Sequence, residues 1–165
     1  MLLRVVEALQ AKGEIVAVTG DGLYLVPEST APKYLGAVTG TGPVGMANNT
    51  NQLAVISNTN GYVYTAALGL QTITDIDFTT RYGASPKFVD SYLALIDRGT
   101  GQWFISDLAN YASYDGLNFA TAEAAPDNLV ACMVLGDMGV FFGTKSTEWW
   151  YPTTDQSAPF KRSAG

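Results

Sequence analysis

Six carboxylates, Asp75, Asp77, Asp90, Asp97, Glu123 and Asp127, are the groups through which this sequence could do acid–base chemistry. Glycoside hydrolysis needs only two such groups, about 5 Å or about 6.5–9.5 Å apart. In the alternating run Ile73-Thr74-Asp75-Ile76-Asp77 the spacing puts Asp75 and Asp77 on one face of a strand, where like-charge repulsion could raise one pKa or a cation could bind. No nearby residue supplies a third ligand, so the reading is a pair of solvated acids at a strand end. The sequence contains no histidine, which removes the Ser-His-Asp triad, the Cys-His dyad and every histidine-ligated zinc site. Cys132 is the single cysteine and lies inside the apolar run Leu129 to Leu135. It reads as a buried, inert thiol. No catalytic, cofactor-binding or metal-ligating residue is assigned, and the chain reads as a non-enzyme.

Gly40-Thr41-Gly42-Pro43-Val44-Gly45 matches the G-x-G-x-x-G spacing of dinucleotide-binding loops. That chemistry needs a helix N-terminus directly after the glycines, and the Pro43 and Met46–Asn51 that stand here favour a turn and a strand entry. Ser57–Tyr64 and Ser113–Phe119 resemble the Asp-box turn of sialidase propellers, with Thr59 in place of the aspartate in the first and one residue too few between Asp115 and Gly116 in the second. Trp103, Trp149, Trp150 and Tyr151 could stack on sugars or bases. For Trp103 core packing is the simpler reading. Trp149 and Trp150 are adjacent, so on a strand they face opposite sides, and one of them must meet a neighbouring blade, a partner or solvent.

The elements that must position these groups are strands. Hydrophobic residues make up 47% of the chain and charged ones 15%, against a charged share of about 25% in soluble domains. Gly, Thr, Ser and Asn supply the remaining polarity and favour turns, while nine Tyr and seven Phe favour strands. The net charge of −6 and the lack of a basic cluster argue against sequence-specific nucleic-acid binding and against anionic membranes. No apolar run approaches the roughly 20 residues that cross a bilayer. Glu7 interrupts the apolar start of the chain, which argues against a signal peptide.

Pairs of short apolar runs recur along the sequence: Ile15–Thr19 with Leu23–Val26, Leu53–Ser57 with Tyr62–Thr65, Tyr92–Ile96 with Trp103–Ser106, and Val140–Phe142 with Glu148–Tyr151. Each pair is joined by turn residues and reads as a β-hairpin. From Leu23 to Tyr62, Trp103 and Trp149 the steps are 39, 41 and 46 residues, near the repeat of four-stranded propeller blades. Flanking strands are expected at Val44–Ala47, Gln71–Asp77, Lys87–Val89, Leu117–Ala122, Leu129–Leu135 and Pro159–Arg162. Leu3–Lys12 reads equally as strand or as short helix. The expected fold is all-β, with antiparallel four-stranded propeller blades over about residues 3–39, 43–78, 85–122 and 129–162 of a single domain, and a β-sandwich as the alternative. An incomplete propeller would leave strand edges and apolar faces free for association.

Three segments carry a family resemblance: KFVDSYLALIDRGTGQWFISDL at residues 87–108, Leu117–Ala131 with its Phe119–Glu123 and Pro126-Asp127, and Phe141–Tyr151 ending on Thr147-Glu148-Trp149. Together with a pattern-level likeness upstream, they resemble the packaged-DNA stabilisation proteins of short-tailed phages, also called tail accessory or tail hub factors. The resemblance implies a multi-bladed β-propeller of which this chain holds a part. It also implies a non-enzymatic virion tail component, assembled in the bacterial host cytoplasm below the portal, that helps retain the packaged genome. Its expected partners are the portal, other tail proteins and further copies of itself. A carbohydrate-binding or glycosidase-like propeller is the competing expectation.

Overall fold

The computed structural model describes residues 9–11, 14–123 and 125–163. They form four antiparallel sheets, each a meander of four consecutive strands. Blade one holds β1 (Leu9–Ala11), β2 (Glu14–Thr19), β3 (Gly22–Val26) and β4 (Lys33–Ala37). Blade two holds β5 (Val44–Asn48), β6 (Leu53–Ser57), β7 (Asn60–Thr65) and β8 (Gly69–Thr72). Blade three holds β9 (Gly83–Val89), β10 (Tyr92–Asp97), β11 (Gln102–Asp107) and β12 (Asn110–Thr121). Blade four holds β13 (Leu129–Leu135), β14 (Met138–Gly143), β15 (Thr147–Pro152) and β16 (Phe160–Arg162). The first strands of successive blades, β1, β5, β9 and β13, lie against one another along the inner side. The result is an open arc of blades, an incomplete β-propeller rather than a sandwich.

The four expected hairpins are all present, as the central pairs β2–β3, β6–β7, β10–β11 and β14–β15. Three local readings change. The strand expected over Gln71–Asp77 ends at Thr72, and Asp75 instead caps a single helical turn, α1 (Ile76–Thr79), by accepting a hydrogen bond from the Asp77 N–H at 2.9 Å. The strand expected at Leu117–Ala122 starts earlier, at Asn110, and bends through register shifts against β11. Blade one gains an outer strand, β4, that the hydrophobic pattern does not signal. Of Leu3–Lys12, Leu9–Ala11 is strand, and the remainder lies outside the described residues.

Each pair of neighbouring blades closes over a separate apolar cluster. Val16, Val18 and Leu23 meet Met46, Leu53, Val55 and Tyr62 between blades one and two. Ala54, Ile56, Val63 and Phe78 meet Leu93, Leu95, Phe104, Tyr111 and Tyr114 between blades two and three. Ala94, Ile96, Trp103 and Ile105 meet Leu129, Cys132, Phe141 and Phe160 between blades three and four. Full burial of one such large side chain contributes about 1.5–3 kcal/mol. In blade two every residue of β6 is buried, because one phase of the strand faces blade one and the other faces blade three. In blade four, β13 and β15 alternate between covered and exposed positions.

Polar pins fix each joint. The Thr39 N–H donates to the Tyr62 hydroxyl at 3.1 Å, tying the first connector to blade two. In the second connector Asp75 Oδ2 accepts from the Tyr114 N–H at 3.1 Å, and the Arg81 guanidinium lies 5.1 Å from the ring centres of both Phe104 and Phe119 while donating to the Gly116 carbonyl at 3.1 Å. In the third, Asp127 Oδ2 accepts from the Lys145 and Ser146 N–H groups at 2.5 and 3.0 Å, and Oδ1 accepts from the Ser146 hydroxyl at 2.9 Å, so one carboxylate holds the β14–β15 turn. These bonds, led by that from the Lys145 backbone, hold the Asp127 carboxyl below its ordinary pKa. Between the inner strands, the Cys132 N–H donates to Ser85 Oγ at 3.0 Å and the Cys132 thiol donates to the Ser85 carbonyl at 2.8 Å. Burial pushes the thiol up to about 11.

Three outcomes follow from these joints. A Cβ at Gly45 would stand 2.5 Å from Cδ of the rigid Pro86 ring where β5 meets β9, so Gly45→Ala should cost about 1–3 kcal/mol in urea unfolding. A wild-type midpoint for this variant would refute that close approach. The Asp127 contribution is fully present above the unfolded carboxylate pKa of about 3.9 and is lost as pH falls through the lower folded value. The gap in unfolding midpoint between wild type and Asp127→Asn should therefore be constant around neutrality and close on acidification, and a gap that persists into strong acid contradicts the pinning. The native chain should resist iodoacetamide at mildly alkaline pH and take up one label in denaturant, as mass spectrometry would show.

Candidate functional site

Of the six candidate carboxylates, Asp75, Asp97 and Asp127 are engaged by backbone N–H groups. Asp75 and Asp77 share no strand face, since Asp75 bonds the backbone of Asp77 and Tyr114. Asp97 Oδ1 accepts from the Tyr82 N–H at 3.0 Å, and Asp90 sits in the β9–β10 turn at φ 44°. Asp127 is spent on the β14–β15 turn. Among the described residues no group of three His, Cys, Asp or Glu side chains is placed to hold a metal ion. The Gly40–Gly45 segment is a turn leading directly into β5, with Gly40 and Gly42 at φ 126° and 99° and no helix behind them. The two Asp-box-like segments are a hairpin turn, with Asn58 at φ 57°, and a stretch inside β12. Acids beside the second are bound to it, with Asp107 Oδ2 accepting from the Ser113 hydroxyl at 2.6 Å and Asp75 Oδ2 from the Tyr114 N–H.

Two clefts lie along the joint of blades three and four. One, of about 170 Å³, is lined by Trp103, Leu117, Asn118, Phe119 and the Ser157–Phe160 loop and carries no carboxylate. The other, of about 380 Å³, has Glu123 as its single acid beside Trp150, Lys161 and Arg162. The paired carboxylates above an aromatic platform that a glycosidase cleft would need are present in neither. Glu148, which directly precedes the Trp149-Trp150 pair, is buried and committed. Its Oε1 receives Arg162 Nη1 at 3.2 Å, and its Oε2 receives Trp150 Nε1 at 3.0 Å.

The aromatic residues divide as strand alternation requires. Trp103 is buried, stacked on Phe141 at 4.3 Å and edge-on to Trp150 at 5.1 Å. Trp150 thus points to blade three, and Trp149 points to the opposite face with 41% of its surface exposed. On that same face stand Met133, Leu135 and Tyr151, all exposed. At the other end of the arc, the outward face of blade one exposes Ile15 and Tyr34, with Tyr24 against Tyr34 at 5.3 Å. The tandem tryptophans signal the first of these surfaces in the sequence. Nothing signals the second, because β4 itself is not legible there. What this arrangement offers chemically is apolar recognition by packing.

Among the described residues no helix is long and apolar enough to cross a membrane. No curated protein matches the chain in sequence. In fold it is similar to BamB from Moraxella catarrhalis, with 13% identity and a TM-score of 0.63 over 92% of this chain and 44% of that one. It is also similar to PorZ of Porphyromonas gingivalis, a bacterial surface component of the type-IX secretion system, with 16% identity and a TM-score of 0.57 over 92% of this chain and 21% of that one. The chain thus spans less than half the length of either structure. A family model described as Bacteriophage P22 Gp10, beta-propeller, matches residues 4–165. The chain, with its arc of propeller blades, belongs to this family of phage stabilisation proteins.

Proposed function

We propose that the chain serves as a structural element of the virion tail, assembling below the portal in the host cytoplasm and helping to retain packaged DNA, with no catalytic, cofactor or metal-binding residue of its own. The observation that carries this reading is the family match over residues 4–165, supported by the pinning of Asp75, Asp97 and Asp127 to backbone N–H groups. Its partners are the portal and neighbouring tail proteins. Retention works by obstruction rather than by electrostatic grip. The net charge of −6 repels phosphates, so DNA passes the protein without adhering and is held because its exit is blocked.

In a phage whose gene is disrupted, heads should fill and then lose DNA, seen as nuclease-sensitive genome in assembled particles, and stable full heads would overturn the retention role. Purified protein should show no binding to duplex DNA in low-salt titrations. Tight association that weakens steeply with salt would mean gripping instead.

A further inference from the structure

The outer strand of blade three differs from those of the other blades. β4, β8 and β16 are five, four and three residues long, whereas β12 spans twelve. Exposed edge strands are ordinarily blunted by brevity, lysine or proline, and Asn110–Thr121 contains neither Lys nor Pro. Beyond the register shift of β12, Phe119, Ala120 and Thr121 pair regularly with Phe104, Trp103 and Gln102. Ala122, next in that ladder, donates its N–H to the Gly101 carbonyl at 2.8 Å. Bonded and non-bonded pairs alternate in an antiparallel ladder. Ala120 therefore also bonds inward, and Phe119 and Thr121 turn their main-chain N–H and C=O groups to the open edge of the sheet. Beside this edge lies the cleft of about 170 Å³ that Trp103, Phe160 and the 83% exposed Leu117 help to line. It is smaller than the roughly 300–1,000 Å³ of small-molecule sites and suits a single apolar side chain. At the bulged end of the edge, Asp77 and Asp115 flank Gly116, where a Cβ would stand 2.6 Å from Asp77 Oδ1. Arg81 at the same place is committed to the Gly116 carbonyl and to two aromatic rings.

We infer that the β12 edge at Phe119–Thr121 and the adjoining cleft form a docking site for an extended segment of a partner protein. The segment adds to the four strands of blade three as one more, its main chain exchanging hydrogen bonds with Phe119 and Thr121. One bulky apolar side chain of the segment enters the cleft, and a basic residue faces Asp77 and Asp115. Main-chain bonds supply affinity and the cleft supplies selectivity. Both walls of the cleft belong to blades three and four. A blade stacked on the far face of blade one or of blade four would leave this rim open. The inference stands on sheet geometry, so its failure would leave the tail assignment untouched.

The test is a selection on the purified chain from a display library of short random peptides. Enriched peptides should share one large apolar residue and a lysine or arginine at a constant separation. The best of them, made synthetically, should shift the Trp103 indole resonance in NMR spectra. Methylating its main-chain nitrogens one at a time should weaken binding about tenfold at alternate positions and leave the others unaffected. Thr121→Pro removes an outward N–H that the ladder to β11 does not use and should weaken binding about tenfold, whereas Thr121→Val, which keeps that N–H, should not. Leu117→Ser should weaken binding severalfold through the lost cleft wall. Leu68→Ser, at an exposed leucine between β7 and β8, should leave it unchanged. Far-UV circular dichroism reports whether each variant folds, and if Thr121→Pro does not, the methylated peptides carry the test on the wild-type chain. A library without binders, binders indifferent to methylation, or binders indifferent to Leu117→Ser would each overturn the proposal. A dimer of the chain that Thr121→Pro abolishes would overturn it too, by giving the edge to a second copy.

Discussion

Face-to-face packing of one blade on the next is the contact from which the other features of this chain follow. A four-stranded sheet with apolar residues in both phases of its central strands cannot persist alone in water. β6 satisfies the condition on both sides, and its five residues Leu53–Ser57 are all buried. Because such a strand must be covered twice, the chain has to deliver blade after blade in a fixed orientation, and its connectors are correspondingly pinned. Asp75 and Arg81 do this ahead of blade three, and Asp127 ahead of blade four.

Those pins decide what the carboxylates can do. A carboxylate that accepts two or three N–H or O–H bonds is stabilised as an anion and held in one rotamer. Where those bonds also lower its pKa, it is poorly suited to general acid catalysis. Asp127 is the clearest case, with its pKa held down by the turn it clamps. Asp75, Asp97 and Asp127 are thus engaged in holding the shape of this protein, and its outer blade faces expose apolar side chains. That division suits a protein whose work is done by standing in a defined place within a larger particle.

The hairpins were legible because a two-residue period bounded by Gly, Asn and Asp survives in any sequence that must cover both sheet faces. The opposite orientations of Trp149 and Trp150 followed from the same alternation. β4 was not legible, since Lys33-Tyr34-Leu35-Gly36-Ala37 is an outer strand with little burial to impose a pattern. The run Ile73–Asp77 misled because the alternation of a strand and the cap-then-turn of Asp75 share the same residues. Only the tertiary contact from Tyr114 decides between them. Asp127 could be named as an acid but not as a clamp, because its partners Lys145 and Ser146 lie a full hairpin downstream. The blade-one surface stayed hidden for the reason that β4 did.

Among the described residues, every sheet is made of strands consecutive in the chain, and no blade borrows a strand from another. In terms of synthesis, each meander contains all its own pairing partners as soon as its fourth strand has been made. The next blade then docks on a surface already formed. Sequence separations between paired strands stay short, which favours rapid folding despite the all-β content. A nascent chain can therefore consolidate from its N-terminal side one unit at a time, so that each newly exposed apolar face waits only as long as a single further blade takes to translate.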